Sequence, residues 1–139
     1  MTENDAVKTI IGILESDSTF LSLISKFPSG GTLTPELCYA PVIPQEWSLK
    51  DTTVNLYAIG STAQREYDSM LFRASCRASD YYKSRTLALA VRNALNRKYS
   101  ALKYFIISDF GATILPKDLD MENYNTPVDI RIRSVQDVD

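Results

Sequence analysis

Hydrophobic positions along this chain change their period several times, and each change marks an element. In "DAVKTIIGILESD", Val7, Ile10, Ile11 and Leu14 recur at the spacing of one helical stripe, and Thr2 stands three residues before Asp5 in the manner of a capping box. Phe20, Leu21, Ile24 and Phe27 fit a second short helix, which Pro28 and the following "SGG" would stop. Residues 28 to 52 hold four prolines and little periodicity, so an irregular excursion is expected there, with a short strand around Leu37 to Val42.

The middle of the chain switches to a period of two. In "TTVNLYAIG", Val54, Leu56 and Ala58 alternate with Thr53, Asn55 and Tyr57. After the polar stretch "GSTAQREYD", which reads as a turn, Met70, Phe72, Ala74, Cys76 and Ala78 alternate with Leu71, Arg73, Ser75 and Arg77. These two strands predict a hairpin with one face on the core and one largely wet. Ser79 or Asp80 then offers an N-cap, and the period lengthens to that of a helix whose inner face is Ser84, Leu87, Ala88, Val91, Ala94 and Leu95. Leu89 and Tyr82, seven residues apart, make a second and thinner stripe on the side that carries Arg85, Arg92 and Asn93. A lone exposed leucine needs no explanation, and an oligomer contact is the sharper alternative.

Beyond that helix, "KYFIIS" has the look of a short buried strand, and "VDIRIRSV" alternates Val128, Ile130 and Ile132 with Asp129, Arg131 and Arg133. Residues 109 to 127 between them read as a long loop, and a loop of that length in a compact domain is usually functional. The pattern contains no internal repeat, and it amounts to one α+β domain over residues 1–139. That domain has a small mixed, mainly antiparallel sheet packed against an N-terminal helix and one longer helix.

Composition changes this picture little, and charge changes it more. At 139 residues with 45% hydrophobic and 23% charged positions, the chain suits one globular domain rather than a disordered or fibrous one. No apolar run is long enough to span a bilayer, and the N-terminus lacks the basic-then-apolar pattern of a secretion signal, so the expected setting is a cytoplasm. Net charge is only −2, yet residues 65 to 103 hold nine of the fifteen Lys and Arg against three acids, which leaves the remainder strongly acidic. A basic surface of this kind meets something acidic, either nucleic acid or the acidic face of a neighbouring copy.

Candidate chemistry is sparse. The chain has no histidine, which removes the usual general base, and Cys38 and Cys76 belong to no metal or redox motif and read as packing thiols. "DFG" at Asp109 to Gly111 lacks the other parts of a kinase and reads as a turn. "SGGT" at Ser29 to Thr32 lacks the Lys-Ser/Thr pair of a phosphate loop. Asp118, Asp120 and Glu122 alternate without the glycine of a calcium loop and read as a solvated acidic loop. No cofactor, metal or catalytic residue is therefore assigned, and the expectation is a protein that is not an enzyme. Candidate interface residues are Arg73, Arg77, Tyr82, Arg85, Leu89 and Arg92, and a candidate partner-docking loop is Asp118, Asp120, Glu122 and Tyr124, the last an aromatic that could anchor in a pocket. A small nucleic-acid-binding module using the same basic strand and helix is the reading of another class, with an acidic pI near 5.1 standing against it.

From about Thr53 to Arg97 the chain resembles the small neck and tail-completion proteins of long-tailed bacteriophages, above all the tail terminators. The resemblance lies in "VNLYAIGS", the strand "MLFRASCRAS" and the helix "DYYKSRTLALAVRNALN", with the N-terminal helix, "KYFIIS" and "VDIRIRSV" in the family order. It implies an α+β subunit of a homo-oligomer, a hexameric ring, on the head-proximal end of the tail tube. That ring stops tube polymerisation and meets a head connector or stopper protein, while genomic DNA passes through its lumen without sequence-specific binding. It implies assembly in the host cytoplasm, residence in the virion tail or neck, and no membrane partner. A neighbouring neck, head-completion or minor capsid component is the alternative within the same class.

Overall fold

A computed structural model describes residues 3–40, 52–63, 67–96, 98–100, 104–110, 115–118 and 123–135. Two helices open the chain, α1 (Glu3–Glu15) and α2 (Ser18–Leu23). Strands β1 (Lys26–Ser29), β2 (Thr32–Pro35), β3 (Leu37–Tyr39), β4 (Thr53–Ala63) and β5 (Tyr67–Ala78) follow, then the long helix α3 (Tyr81–Leu95). The chain closes with β6 (Lys98–Ser100), β7 (Tyr104–Phe110), β8 (Leu115–Asp118) and β9 (Asn123–Val135). The main sheet has the order β3-β4-β5-β9-β7-β6, with β8 also paired to β9. Every neighbouring pair in it is antiparallel except β3 with β4, so the fold is α+β with a mixed, mainly antiparallel sheet.

Alternation decides which side of the sheet is core. Val54 and Leu56 of β4, Phe72, Ala74 and Cys76 of β5, and Val128, Ile130 and Ile132 of β9 are fully buried. They pack against Leu87, Ala88, Val91, Ala94 and Leu95 of α3, and the stripe Ala6, Val7, Ile10 and Leu14 of α1 joins the same cluster with Phe20 of α2. Small residues on α3 let the helix lie close across β5, β9 and β7. Its one buried polar residue, Ser84, donates to the Cys76 carbonyl at 2.9 Å and meets the Thr126 hydroxyl at 2.7 Å. With the Ser84 proton committed to Cys76, Thr126 is the donor in the second bond, and both of these hydroxyls are satisfied. Asp80 caps α3 by accepting from the Tyr82 N–H at 2.8 Å, and Asp17 caps α2 in the same way through Phe20.

Several expectations need correction. The second helix ends at Leu23, with Ile24 already extended, and Phe27 and Pro28 belong to β1 instead. "SGGT" is the tip of the β1–β2 hairpin: Ser29 pairs with Thr32 across Gly30 and Gly31, whose φ values of 58° and 85° suit a two-residue turn of the primed type. The base of that hairpin is tied to the main sheet. Ser25 N–H donates to the Thr52 carbonyl, Glu36 N–H to the Ser25 carbonyl and Val54 N–H to the Glu36 carbonyl. The predicted short strand after the hairpin is present as Leu37–Tyr39, and Pro41 and Val42 lie outside the described residues. The β4–β5 hairpin is longer than its apolar alternation, since pairing continues to Ala63↔Asp68 after a bulge between Ala58 and Gly60.

The long loop is also a misreading. Asp109 and Phe110 of "DFG" end β7, residues 115–118 form β8, and residues 123–127 begin β9. Pro127 suggests a break in a strand, but it lies between the stretch of β9 paired to β7, which ends at Phe110↔Val128, and the stretch paired to β8, which starts at Leu115↔Asn125. On its other side Pro127 pairs in register with Ser75 of β5.

Candidate functional site

One wedge of α3 is left uncovered by the core. Rotation along the helix puts Tyr82, Leu89 and Asn93 at its centre and Arg85 and Arg92 on its flank, and the exposures follow that order: Tyr82 is 79% exposed, Leu89 43%, and the two arginines are half-buried. At the N-terminal end of the wedge the aromatic rings are not isolated. Tyr81 meets Tyr124 of β9 edge-to-face at 6.0 Å and Tyr82 at 6.3 Å, the spacing at which such pairs add to simple burial. Beside them a groove of about 300 Å³ is lined by Ser22, Leu23, Ser25, Thr52, Tyr82, Lys83 and Thr86. Its floor is held by Thr52, whose hydroxyl donates to the Leu23 carbonyl at 2.6 Å and whose N–H donates to the Ser25 hydroxyl at 3.0 Å. Ring faces, one leucine and flanking guanidiniums on one side of a helix, with a groove beside Tyr82, have the chemistry of a protein-binding surface.

The structure splits the interface residues expected from sequence. Tyr82, Arg85, Leu89 and Arg92 share the α3 wedge, whereas Arg73 and Arg77 alternate with core residues of β5 and lie on the sheet face turned away from α3. Arg73 is engaged there by Asp129, with Nε to Oδ1 at 2.8 Å and Nη2 to Oδ2 at 3.3 Å. That hydrogen bond raises the guanidinium pKa above its ordinary value, against the smaller opposing effect of burial. Both side chains are about a third exposed, so the pair contributes about 1 kcal/mol at most.

Of the expected docking loop, Asp118 ends β8 opposite Asn123, and Asp120 and Glu122 lie outside the described residues. Tyr124 is half-buried against Tyr81 rather than projecting as a free anchor. What sequence reading missed is the groove and the Tyr81–Tyr124 contact, because both join segments far apart in the chain. The available signal for the second was the doubled tyrosine at the start of α3.

The far sheet face is drier than the alternation suggests. Thr53, Asn55 and Ser75 are only 1% exposed, although they belong to the polar set. The chain leaving β3 reaches this side, where the Ala40 carbonyl accepts from Asn55 Nδ2 at 3.2 Å. Cys38 pairs in register with Asn55 on this side, whereas Cys76 lies on the core side, so both thiols are free and neither can bridge the other. Burial pushes both thiol pKa values up, Cys76 far above the usual range. The native state therefore holds its protons where the unfolded chain would release them. The thiols cost the fold nothing below the ordinary thiol pKa of about 8.5, and stability falls as pH rises through and beyond it. Iodoacetamide at neutral pH is expected to label Cys76 only when the chain is unfolded; rapid labelling of Cys76 in the native protein would show that α3 does not cover it.

Among the described residues no three His, Cys, Asp or Glu side chains converge as a metal site, and no helix is long and apolar enough to cross a membrane. No protein-family model matches the sequence, and no curated protein matches it. A solved structure does share the fold: a chain of the virion of a native gene transfer agent (GTA) particle superposes with a TM-score of 0.58. It covers 91% of this chain and 92% of its own length at 14% sequence identity, so what the two chains have in common is an α+β architecture over nearly their whole length.

Proposed function

We propose that this chain is a structural virion protein of the tail-terminator kind. It forms a ring, hexameric in this reading, on the head-proximal end of a tail tube, stops the tube from growing and joins the tail to the head connector. The observation that carries the reading is the fold shared with a chain of a gene transfer agent virion, a phage-like particle, over 91% of this chain. The α3 wedge supports it independently, because Tyr82, Leu89, Arg85 and Arg92 on one exposed helix side, with a groove beside Tyr82, suit association with another protein surface rather than chemistry. In a ring each subunit meets its neighbour through two different surfaces. The wedge is one of them. The β8–β9 edge around Asp118 and the neighbouring acids Asp120 and Glu122 is the docking element for the tube or connector.

Deletion of the gene with electron microscopy of the particles tests this. The expected phenotype is overlong tails that do not join heads, restored by the intact gene. Tails of normal length that fail to join heads would favour a neighbouring neck or head-completion protein, and normal particles made without it would remove the chain from the virion altogether.

A further inference from the structure

We infer that the β1–β2 hairpin is an arm that docks on a second copy of this chain, seating Pro28 and Leu33 in the groove beside Tyr82. The arm supplies the second of the two unlike surfaces that a ring subunit needs, and so deepens the ring reading on which it rests. The hairpin stands apart from the main sheet as a two-stranded sheet of its own. Such a hairpin is marginal in water unless something covers it. Its pairs Pro28↔Leu33 and Lys26↔Pro35 put these four side chains on one face. Lys26, Pro28 and Leu33 are exposed there, and Pro35 is half-buried. Leu33 is 70% exposed, and among the described residues only Tyr82 is a more exposed large apolar side chain.

Backbone chemistry decides how the arm can bind. With Gly30 and Gly31 as the two-residue turn, Ser29 and Thr32 are the first hydrogen-bonded pair, and such pairs recur at every second residue. The Glu36 N–H donating to the Ser25 carbonyl fits that count. The pairs between them, Pro28 with Leu33 and Lys26 with Pro35, turn their backbone groups outward. A proline takes one outward position on each strand, so each edge keeps a single outward N–H, at Lys26 or Leu33, and is a poor template for a further strand. The arm must bind through its side chains.

The groove suits those side chains. It is lined by Leu23, Tyr82 and Lys83 and otherwise by serines and threonines, and its volume of about 300 Å³ is room for two small side chains. Residues 28 to 33 carry no charge and need no counter-ion from it. The arm cannot fill the groove of its own subunit. Ser25 is a wall of that groove and immediately precedes β1, whereas Leu33 pairs with Pro28 three residues farther out, about 10 Å along the strand.

The test is a cross-link between full-length Leu33→Cys and Thr86→Cys, each also carrying Cys38→Ser, mixed under a mild oxidant. A heterodimer joined through residues 33 and 86 is expected, mapped by peptide mass spectrometry, and neither variant alone should link to itself. One chain carrying both cysteines should give a ladder of linked subunits. Leu33→Asp should keep the wild-type circular dichroism and melting, because Leu33 is exposed. It should weaken association by about tenfold or more, the factor set by one lost leucine contact, whereas Leu33→Met associates as the wild type does. Absence of the 33–86 link from both the mixture and purified particles, a link from Leu33→Cys to itself or to another virion protein, or undiminished association of Leu33→Asp overturns the inference. Full-size rings without the 33–86 link overturn the arm alone. The link in assemblies that grow open-ended, or in a chain whose deletion leaves particles normal, overturns the ring reading alone.

Discussion

Val91→Asp is expected to leave the protein unfolded under conditions in which the wild type is folded. Val91 sits at the middle of the inner face of α3 with no exposure, among Leu87, Ala88, Ala94 and Leu95 and against the buried residues of β5 and β9. A carboxylate there loses its hydration and, among the described residues, no cation is buried on the core side to replace it, and the valine packing goes with it. The penalty is at least about 4 kcal/mol, against a total stability of about 5–15 kcal/mol for a domain of this kind. Leu89→Asp is the matched control, because the same charge two residues earlier is placed on the exposed wedge and should change stability by about 0.5 kcal/mol or less. Urea denaturation followed by circular dichroism reads both. Equal midpoints for Val91→Asp and wild type would mean that the helix presents a different face to the sheet.

Arg85→Glu with Arg92→Glu is expected to spare the fold and abolish or severely weaken the ring. Both side chains flank the wedge outside the core cluster, so the monomer should keep its helical spectrum and unfold within about 1 kcal/mol of wild type. Each reversal replaces a cation by an anion, so attraction to an acidic neighbour becomes repulsion at two positions of every interface in the ring, and like charges across an interface cost several kcal/mol. Light scattering gives the mass directly. A wild-type assembly that falls to monomer in the variant supports the wedge as an interface, with high salt partly rescuing the variant by screening. Full-size rings at physiological salt would remove this surface from the interface.

Much of the fold was legible because burial here follows periodicity. The alternation in β5 and β9 and the stripes of α1 and α3 name nearly the whole core, from Phe72 and Ile130 to Ile10 and Leu87. Where reading failed, a local signal was outweighed by pairing with a distant strand. Phe27 and Pro28 looked like the end of a helix because Phe20, Leu21 and Ile24 precede them at helical spacing, yet Gly30 and Gly31 can fold the chain back into a hairpin and the strand wins. Residues 123 to 127 read as part of a loop because their polarity is mixed, and they become strand because β5 and β8 pair along them.

The candidate site divides along the same line. That Tyr82, Arg85, Leu89 and Arg92 share one face of a helix is a consequence of 3.6 residues per turn, and the sequence alone determined it. Likewise, Arg131 and Arg133 share a strand face because side chains alternate. Which of these groups stand together on the molecule was decided by tertiary structure. The register of β5 against β9 puts Arg73 and Arg77 on the same sheet face as Arg131 and Arg133, and the packing of α3 on the opposite side separates all four from Arg85 and Arg92. The Tyr81–Tyr124 contact spans forty-three positions of the chain and is made because Tyr124 lies opposite Ala78, at the point where β5 gives way to α3. Helical and strand periods are properties of the local backbone, so a sequence carries them openly. Proximity across the sheet depends on how buried surfaces are matched over the whole domain, which no local pattern encodes.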